Sequence, residues 1–280
     1  MAPKTSPNMN SPPTRIRLDR LLVVQGYTRT RQKAQALILA GRVLVNCQKV
    51  NKSGTAVASD STIEILGQQT GFVGRGGLKL EGALERLGWK TAWPMALDIG
   101  SSTGGFVDCL LQRGTARIIA VDAGTNQLDW KLRSDTRVRV LERTNARYLK
   151  WKQIGETADL ITMDVSFIST TLILPAIVKF ARPGTRLLIL VKPQFEVTRE
   201  QVGKGGIVRD PVLHEQSVSR VLACMSGLGF VVLDSFPAAI RGAEGNQEFF
   251  LAAEFPVDGT KTAGGPYDFS LSFGTGTESP

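Results

Sequence analysis

The order of apolar and polar residues predicts a helix at the start of the folded chain. Within residues 15–27, Leu18, Leu21 and Leu22 fall on one helical face. Gly26 follows them, and a glycine at this position is typical of a helix C-cap. The sequence therefore predicts a short amphipathic helix that ends near Gly26.

A second helix is predicted between Thr28 and Gly41. Thr28 is a typical N-cap residue, and Gly41 is a typical C-terminal stop. Ala34, Leu37 and Ile38 recur at helical spacing and are expected to face inward. Residues 42–50 then read as strand, turn and strand, and residues 61–66 as a further strand. Residues 15–67 are therefore predicted to form a small α+β domain.

The body of the chain alternates apolar strands with amphipathic helices. Such alternation is typical of an α/β fold with a doubly wound parallel sheet. Since no helix separates the last two strands, we expect them to form an antiparallel pair at the edge. The seven strands are predicted at 95–100, 117–124, 137–143, 158–167, 185–195, 230–240 and 246–255, and the helices at 76–88, 104–114, 126–133, 170–184 and 210–229.

Composition separates the folded domains from their flanks. Residues 1–14 are rich in Pro, Ser and Asn, and residues 257–280 are rich in Gly, Ser and Thr, so both are predicted to be disordered tails. Residues 68–76 are predicted to link the small domain to a larger domain that spans residues 77–256.

Charge is concentrated at the N-terminal end. The formal charge is +9, and residues 1–71 carry +7 of it, with 10 Lys and Arg against 3 Asp and Glu. This asymmetry favours a basic module that binds a polyanion, while a solvated basic surface is the simpler alternative. The candidate RNA-binding residues of this module are Arg15, Arg17, Arg20, Arg29, Arg31, Lys33 and Arg42.

Other residue counts weaken several function classes. The 3 cysteines are far apart and His214 is the single histidine, so disulfide frameworks, zinc sites and hydrolase triads are poorly supported. No apolar run approaches the roughly 20 residues of a membrane span, and the N-terminus lacks the apolar core of a secretory signal. We expect a cytoplasmic monomer without stable membrane association and without a metal.

The stretch LDIGSSTGGF at residues 97–106 predicts a cofactor loop at the end of a strand. Its GxxxGG spacing matches neither the dinucleotide fingerprint nor the phosphate-binding P-loop. An acidic residue that follows 22 positions after Gly100 is suited to hold a ribose. S-adenosylmethionine, which has a ribose and a cationic sulfur but no phosphate, fits this set, while a turn used only for packing is the alternative. The candidate cofactor residues are Asp98, Gly100, Ser101, Ser102, Thr103, Gly104, Gly105, Phe106, Asp122 and Ala123.

Four charged residues stand near the predicted strand ends. Asp164 and Lys192 end the fourth and fifth strands, Glu248 begins the last strand, and Lys79 lies on the first helix of the body. A lysine placed like Lys192 can orient or deprotonate a hydroxyl nucleophile. The alternative is that Lys192 caps its strand and pairs with Glu196.

The N-terminal module resembles the S4-like RNA-binding domain through RLDRLL, TRTRQKAQALILAGRVLVN and the following Gly54. The RLD triplet also resembles the surroundings of the catalytic aspartate of pseudouridine synthases. The Thr/Ser-Gly turn of those enzymes is missing here, so we expect Asp19 to offset Arg17 or Arg20, or to favour the helix N-terminus.

Lys79, Asp164, Lys192 and Glu248, in this order, resemble the K-D-K-E tetrad of FtsJ-like ribose 2′-O-methyltransferases. Together with the S4-like module and the motifs GRGGLKLEGAL, LERTNAR, MDVSFIS and VKPQFE, the chain resembles the TlyA family, whose members are historically labelled haemolysins. The resemblance implies a Rossmann-like methyltransferase that modifies a cytidine ribose in 16S or 23S rRNA on ribosomal particles. It also implies that Asn145 and Asp164 lie near the adenosine of the cofactor.

On this basis we expect direct methyl transfer, with Asp164 and Lys192 orienting the 2′-hydroxyl and Lys79 and Glu248 supporting them. Phe167 and Phe195 are either base-stacking residues or ordinary core. The glycine-rich segment 203–211 is either a mobile RNA-contacting loop that uses Lys204 and Arg209 or a plain flexible loop.

Three alternatives remain open at this point. The first is an inactive fold that serves as a ribosome-assembly factor, and the second is a pore-forming haemolysin. The third is a base methyltransferase, which is disfavoured because VKPQFE has Lys where an amino methyltransferase has an Asn/Asp-Pro-Pro-aromatic run.

Overall fold

The computed structural model describes residues 15–25, 27–28, 30–59, 61–66, 71–89, 92–242 and 245–257. The chain forms two compact units, Met1–Gln69 and Thr70–Pro280. The predicted tail 1–14, almost all of the predicted tail 257–280, and Gly26 lie outside the described residues.

In its described residues, the N-terminal unit contains two helices and five short strands. Strands β1 and β4 pair antiparallel, and a second antiparallel sheet has the order β3-β2-β5. The elements are β1 (Arg15–Arg17), α1 (Leu18–Val24), α2 (Arg31–Leu39), β2 (Val43–Val45), β3 (Gln48–Lys49), β4 (Ala56–Ala58) and β5 (Ile63–Ile65).

The predicted helical faces of this unit are confirmed, but one helix start is wrong. Helix α2 begins after Thr30, not after Thr28, because the Thr30 hydroxyl accepts the backbone N–H of Lys33. Gly41 follows α2 with a φ of +65°, as a left-handed stop requires. The pair β1–β4 was not predicted, because three residues are too few to show a strand period.

In the part of the C-terminal unit that the structure describes, seven strands form one sheet with helices on both faces. Its strands are β6 (Met95–Ile99), β7 (Arg117–Val121), β8 (Val138–Leu141), β9 (Ala158–Met163), β10 (Ala181–Val191), β11 (Val231–Pro237) and β12 (Phe249–Glu254). Its helices are α3 (Arg75–Arg86), α4 (Gly105–Gln112), α5 (Trp130–Arg133), α6 (Trp151–Ile154), α7 (Leu174–Ile177), α8 (Pro193–Glu196) and α9 (Pro211–Gly227).

The sheet order is β11-β12-β10-β9-β6-β7-β8. Strands β8, β7, β6, β9 and β10 run parallel, whereas β12 runs antiparallel to both β10 and β11. Along β10, Leu187 and Ile189 pack into one hydrophobic core, and Leu188 and Leu190 pack into the other. The strands are continuous apolar runs because both faces of the sheet are covered. The predicted doubly wound α/β fold with an antiparallel pair at the edge is confirmed.

The helix predicted over 170–184 is wrong. This stretch contains a 3-10 turn, the short α7 and a second 3-10 turn, and β10 starts already at Ala181. Gly184 has a φ of +82°, and the pairing with β9 shifts between Ala181 and Arg186, so the strand begins with a bulge. At its other end β10 stops at Val191 rather than residue 195, because Pro193 starts α8 and cannot donate a ladder hydrogen bond.

Candidate active site

The loop between β6 and α4 depends on glycines for close packing. Gly100 and Gly104 adopt left-handed φ values of +83° and +99°. A Cβ on Gly100 would collide with the carbonyl oxygen of Asp164, and one on Gly105 would come within 2.8 Å of the backbone nitrogen of Gly77. The glycines thus let this loop contact the end of β9 and let α4 contact α3.

Asp122, directly after β7, holds this loop in place. Its carboxylate accepts the backbone N–H of Ser102 at 2.8 Å and that of Gly124 at 2.7 Å. A carboxylate has about four acceptor positions, so Asp122 can still accept hydrogen bonds from a ligand in the cavity that it lines. The residue predicted to hold a ribose therefore also organises the loop.

Two cavities border the loop at the carboxyl ends of the parallel strands. The larger one has a volume of about 530 Å³, and its lining includes Gly100, Ser102, Asp122, Ala123, Asn145 and Asp164. The smaller one has a volume of about 190 Å³, and its lining includes Gly100, Ser101, Ser102, Thr103, Gly105, Phe106 and Asp164. Of the predicted cofactor residues, Asp98 and Gly104 line neither cavity; Gly104 packs against Leu128 and Leu132.

Asp98 is buried near the end of β6, two residues before Gly100. One carboxylate oxygen accepts the Thr162 hydroxyl at 2.7 Å, while the other has no hydrogen-bond partner among the described residues. Burial raises the pKa of Asp98 to about 6, and the carboxylates of Asp164 and Asp122 act in the same direction. Asp98 is thus a buried acid with an unused acceptor near the cofactor loop.

Lys79 and Glu248 form a buried ion pair. Lys79 lies on the inner face of α3, Glu248 directly precedes β12, and Nζ and Oε2 are 2.5 Å apart. Both side chains are almost completely buried. A buried pair of this kind keeps its geometry because neither charge can lose its partner without a large desolvation cost.

Lys192 and Asp164 form a second ion pair, with Nζ and Oδ1 2.6 Å apart. Lys192 also donates a hydrogen bond to the Ser166 hydroxyl at 2.9 Å. The alternative pairing of Lys192 with Glu196 is wrong, because Glu196 is buried and accepts hydrogen bonds from Thr170 and Ser169 instead.

Strand order brings the two ion pairs to one edge of the sheet. Strand β10 lies between β9 and β12. Val191, the last residue of β10, pairs with Phe249, the first residue of the antiparallel β12. Lys192 directly follows Val191 and Glu248 directly precedes Phe249, so both residues lie at the same edge of the sheet. Asp164 directly follows the neighbouring strand β9 and lies at that edge too.

Phe167 and Phe195 lie beside the second ion pair, with ring centroids 5.1 Å apart. Phe167 is 91% exposed and has a φ of +65°, which is unusual for a bulky residue. The interpretation of Phe167 as ordinary core is therefore wrong. An exposed ring in a strained backbone position marks a candidate contact to a ligand.

Sequence reasoning missed two residues that the fold adds to this site and gave a third, Glu196, the wrong partner. Ser166 contacts Lys192, Thr162 contacts Asp98, and Glu196 joins two loops. The only signal for Ser166 was its position two residues after Asp164. Nothing in the sequence distinguishes Thr162 from the rest of an apolar strand.

Comparison with known proteins places this site in a family. The model of the FtsJ-like methyltransferase family matches residues 72–255, and that of the S4 domain matches residues 16–63. The chain belongs to the FtsJ-like methyltransferases. The predicted TlyA resemblance is confirmed, because the Mycobacterium tuberculosis protein named 16S/23S rRNA (cytidine-2′-O)-methyltransferase TlyA is 42% identical over 91% of this chain and 95% of its own length.

Two further relatives share the same arrangement. Hemolysin A of Brachyspira hyodysenteriae is 41% identical over 84% of this chain and 98% of its own length. A solved hemolysin-named structure from Streptococcus thermophilus is 39% identical, with a TM-score of 0.67 over 90% of this chain and 93% of that one. The S4 domain and the methyltransferase domain thus occur together in these relatives.

In the S4 domain, Asp19 organises two of the predicted RNA-binding arginines. It is fully buried and accepts hydrogen bonds from Arg17 at 2.9 and 3.1 Å, from Arg31 at 2.8 Å and from Gln35 at 3.0 Å. The expected partner Arg17 is confirmed, and the second arginine is Arg31 rather than Arg20. These bonds hold the pKa of Asp19 well below its usual range.

The remaining candidate RNA-binding residues are exposed where the structure describes them. In the S4 domain these are Arg15, Arg20, Lys33 and Arg42, whereas Arg29 lies outside the described residues. In the methyltransferase domain, exposed Lys204 lies within a small hairpin in which Gly203 bridges Ile207, and exposed Arg209 follows this hairpin. Asn246 binds this hairpin from below through Gly206 and Val208.

The histidine considered for hydrolase and metal chemistry has a structural role in this methyltransferase. His214 is buried, and its Nε2 lies 2.8 Å from the carbonyl oxygen of Val208. Within the part of the chain that the structure describes, no three His, Cys, Asp or Glu residues form a group that could hold a metal ion. None of the helices in the described ranges is long and apolar enough to cross a membrane.

Proposed function

We propose that this chain transfers a methyl group from S-adenosylmethionine to the ribose 2′-hydroxyl of a cytidine in 16S or 23S rRNA of ribosomal subunits. The observation that carries this proposal is the Lys192–Asp164 ion pair at the carboxyl edge of the sheet, where Asp164 also lines both cavities. The name of the Mycobacterium tuberculosis relative supports the same substrate.

The residues present fit S-adenosylmethionine. The cavity of about 530 Å³ has Asp122 for a ribose and Asn145 on its wall. When bound, S-adenosylmethionine supplies an electrophilic methyl group on a positively charged sulfur. The ten predicted residues that line the two cavities would hold it.

Lys192 and Asp164 would position the reacting ribose. The Lys192 ammonium and the Asp164 carboxylate offer a donor and an acceptor to one hydroxyl group, and Ser166 holds Nζ from the other side. As the oxygen attacks the methyl group, Lys192 Nζ passes one of its protons to the Asp164 carboxylate and takes the hydroxyl proton in its place, so that Lys192 ends as the ammonium and Asp164 as the protonated acid. Fixing the hydroxyl beside the methyl donor removes much of the entropic barrier of a two-substrate reaction.

Lys79 and Glu248 would support this arrangement from the adjacent strand. Their buried pair compensates both charges, so it leaves a polar and rigid wall beside Lys192. We assign them to the support of the reacting pair, as the tetrad resemblance implies.

RNA would reach this site after its target nucleotide leaves the helix, because a stacked ribose cannot enter a cavity at a sheet edge. The exposed ring of Phe167, with Phe195 beside it, offers a surface on which the displaced base can stack. The exposed arginines of the S4 domain, together with Lys204 and Arg209, would bind the phosphate backbone. In this proposal the protein works as a monomer in the cytoplasm, where the ribosomal subunits are.

The test is Lys192→Ala, assayed by methyl transfer from labelled S-adenosylmethionine to ribosomal subunits that lack the modification. We expect methyl transfer to disappear while S-adenosylmethionine still binds, since Lys192 does not line the larger cavity. Lys179→Ala is a matched control, because Lys179 is exposed and precedes β10 at the opposite end of the strand.

Mapping 2′-O-methyl groups in the labelled rRNA identifies the nucleotide. Full activity of Lys192→Ala would refute the assigned chemistry. Binding of the wild-type protein to subunits without any methyl transfer would instead favour an assembly factor.

A further inference from the structure

The reacting groups proposed above lie on two loops that leave neighbouring parallel strands. The first loop, residues 164–170, follows β9 and carries Asp164, Ser166 and Phe167; the second loop, residues 192–196, follows β10 and carries Lys192 and Phe195. The backbone ladder that joins β9 to β10 ends at Met163 and Ile189. Beyond that point, side chains have to set the distance between the two loops.

Glu196 joins the loops at the end away from the reacting pair. Its Oε1 accepts the backbone N–H and the hydroxyl of Thr170, both at 2.8 Å, and its Oε2 accepts the Ser169 hydroxyl at 2.5 Å. Glu196 and Thr170 are both almost completely buried. One carboxylate therefore collects three donors from the first loop.

Rigid backbone links Glu196 to Lys192. Helix α8 is a single turn that begins directly after Lys192 and ends at Glu196, with Pro193 at its start. Arg220 of α9 donates a hydrogen bond to the backbone carbonyl of Glu196 at 2.5 Å, which holds the end of this turn. A shift at Glu196 is therefore passed to Lys192 across one turn.

The contact between Glu196 and Ser169 also fixes the C-terminal end of the first loop. Ser169 caps the 3-10 turn Thr170–Leu172 through the N–H of Thr171, so its orientation fixes where the loop ends. Between this cap and Asp164 the chain passes through Phe167 with its left-handed φ of +65°. Such a strained residue persists only where its surroundings hold it.

A buried carboxylate is a costly way to fill space. Burial of an ionised group is unfavourable unless hydrogen bonds compensate it, and an apolar side chain of similar size would pack at lower cost. Three donors converging on Glu196 define one geometry for the two loops, which an apolar contact would not.

We propose that Glu196 is a positioning residue for methyl transfer, fixing the loop 164–170 against the loop 192–196 so that Lys192, Asp164 and Ser166 stay in register. This inference rests on the proposed function, because it concerns the rate of that reaction. Glu196 acts through Lys192 and Asp164 and touches neither substrate nor cofactor.

The experiment compares the full-length wild type with Glu196→Gln, Thr170→Val and the control Glu156→Gln. Thr170→Val removes one hydroxyl donor and keeps the backbone donor, and Glu156 pairs with Arg117 before the start of β9, far along the strand from the site. For each protein, kcat and KM for S-adenosylmethionine are measured on ribosomal subunits, together with Kd for S-adenosylmethionine and the Tm.

For Glu196→Gln we expect a fall in kcat of about 10-fold to 100-fold, the scale expected when reacting groups move by about 1 Å. Kd for S-adenosylmethionine and the Tm should stay near wild type. Thr170→Val should lower kcat less than Glu196→Gln does. Glu196→Asp, measured as an additional variant, should have a kcat between those of Glu196→Gln and the wild type. Glu156→Gln should have the kcat of the wild type.

A double-mutant cycle makes the mechanism specific. If Glu196 acts by holding the loop that carries Ser166, the effects of Glu196→Gln and Ser166→Ala on kcat will not multiply. Wild-type kcat in Glu196→Gln, or a loss of activity that only follows a loss of folded protein, would overturn the inference. A wild-type protein without methyl-transfer activity would instead refute the proposed function. The wild-type assay alone therefore separates failure of the proposed function from failure of this inference.

Discussion

Among the residues that the structure describes, each unit of this chain buries one aspartate near the start of its fold, and the two have opposite surroundings. Asp19 in the S4 domain is fully buried, but Arg17, Arg31 and Gln35 saturate its carboxylate. Asp98 in the methyltransferase domain has one hydrogen bond from Thr162 and one oxygen without a partner in the described structure. The first carboxylate has all its hydrogen bonds within the protein, whereas the second keeps one acceptor unused.

The pKa values of the two groups follow from this difference. Two guanidinium groups hold the pKa of Asp19 well below its usual range, whereas burial raises the pKa of Asp98 to about 6. Asp19 therefore stabilises the folded state above the usual carboxyl range of about pH 4, and this stability is lost as the pH falls below it. Asp98 destabilises the folded state as the pH rises from about 4 to about 6.

The largest effect in this comparison is expected for Asp19→Ala. Loss of the carboxylate leaves two arginines and Gln35 without their shared acceptor, so the S4 domain should lose about 3 kcal/mol of stability, at the lower end of values for broken buried pairs because the arginines are half-exposed. The measurement is chemical denaturation of the full-length protein with probes in each unit. An unchanged transition of the S4 domain would show that Asp19 is not the organising acceptor.

Asp98→Asn is expected to shift stability in the opposite direction. The amide keeps the contact with Thr162 but removes the buried charge, so the methyltransferase domain should gain on the order of 2 kcal/mol at pH 7 to 8. The gain should shrink from about pH 6 downward and vanish below about pH 3, where the wild-type carboxyl group is protonated in both states. Calorimetry over this pH range measures the difference.

The same Asp98→Asn variant separates stability from ligand binding. If the unused oxygen receives a cationic group, S-adenosylmethionine should raise the Tm of the variant less than that of the wild type. A variant that is both more stable and equally responsive to the cofactor would assign Asp98 to folding alone. Loss of function with a gain in stability is the usual sign of a site residue.

The smallest effect is expected for Asp135→Ala. Asp135 also forms a bidentate contact with an arginine, Arg137, but this pair is close in sequence and partly exposed. Removing it should cost less than about 1 kcal/mol. A cost as large as that of Asp19→Ala would mean that burial is not what distinguishes the aspartates.

Much of the fold could be predicted from the sequence because strands that are covered on both faces are long apolar runs. Two of the errors in the predicted element boundaries lie at the two ends of β10. Lys192 and Pro193 directly follow the apolar run that ends at Val191, and the proline ends the ladder there although the predicted strand continued to residue 195. Over residues 170–184, apolar spacing suggested one helix, and the bulge at Gly184 divides that stretch between short turns and a strand.

The sequence identified most residues of the candidate site but not the contacts between them. The glycine loop, Asp122, Asp164, Lys192 and Glu248 stand at strand ends that the sequence identifies, and Lys79 stands on the helix before the first of these strands. Their roles in catalysis stay predictions. Glu196 was considered only as a partner of Lys192, because its actual partners Ser169 and Thr170 belong to the loop after a different strand, β9. Phe167 was ambiguous because exposure is not visible in a sequence.

By itself, the sequence determined the alternation of strands and helices, the basic N-terminal domain and the family resemblance, because these depend on local pattern. Only the tertiary structure decided which charges meet. Lys79 and Glu248 are 169 positions apart, and Lys192 pairs with Asp164 rather than with Glu196, four residues away. The reason is physical: strand β10 lies between β9 and β12, and that order sets which side chains share an edge of the sheet.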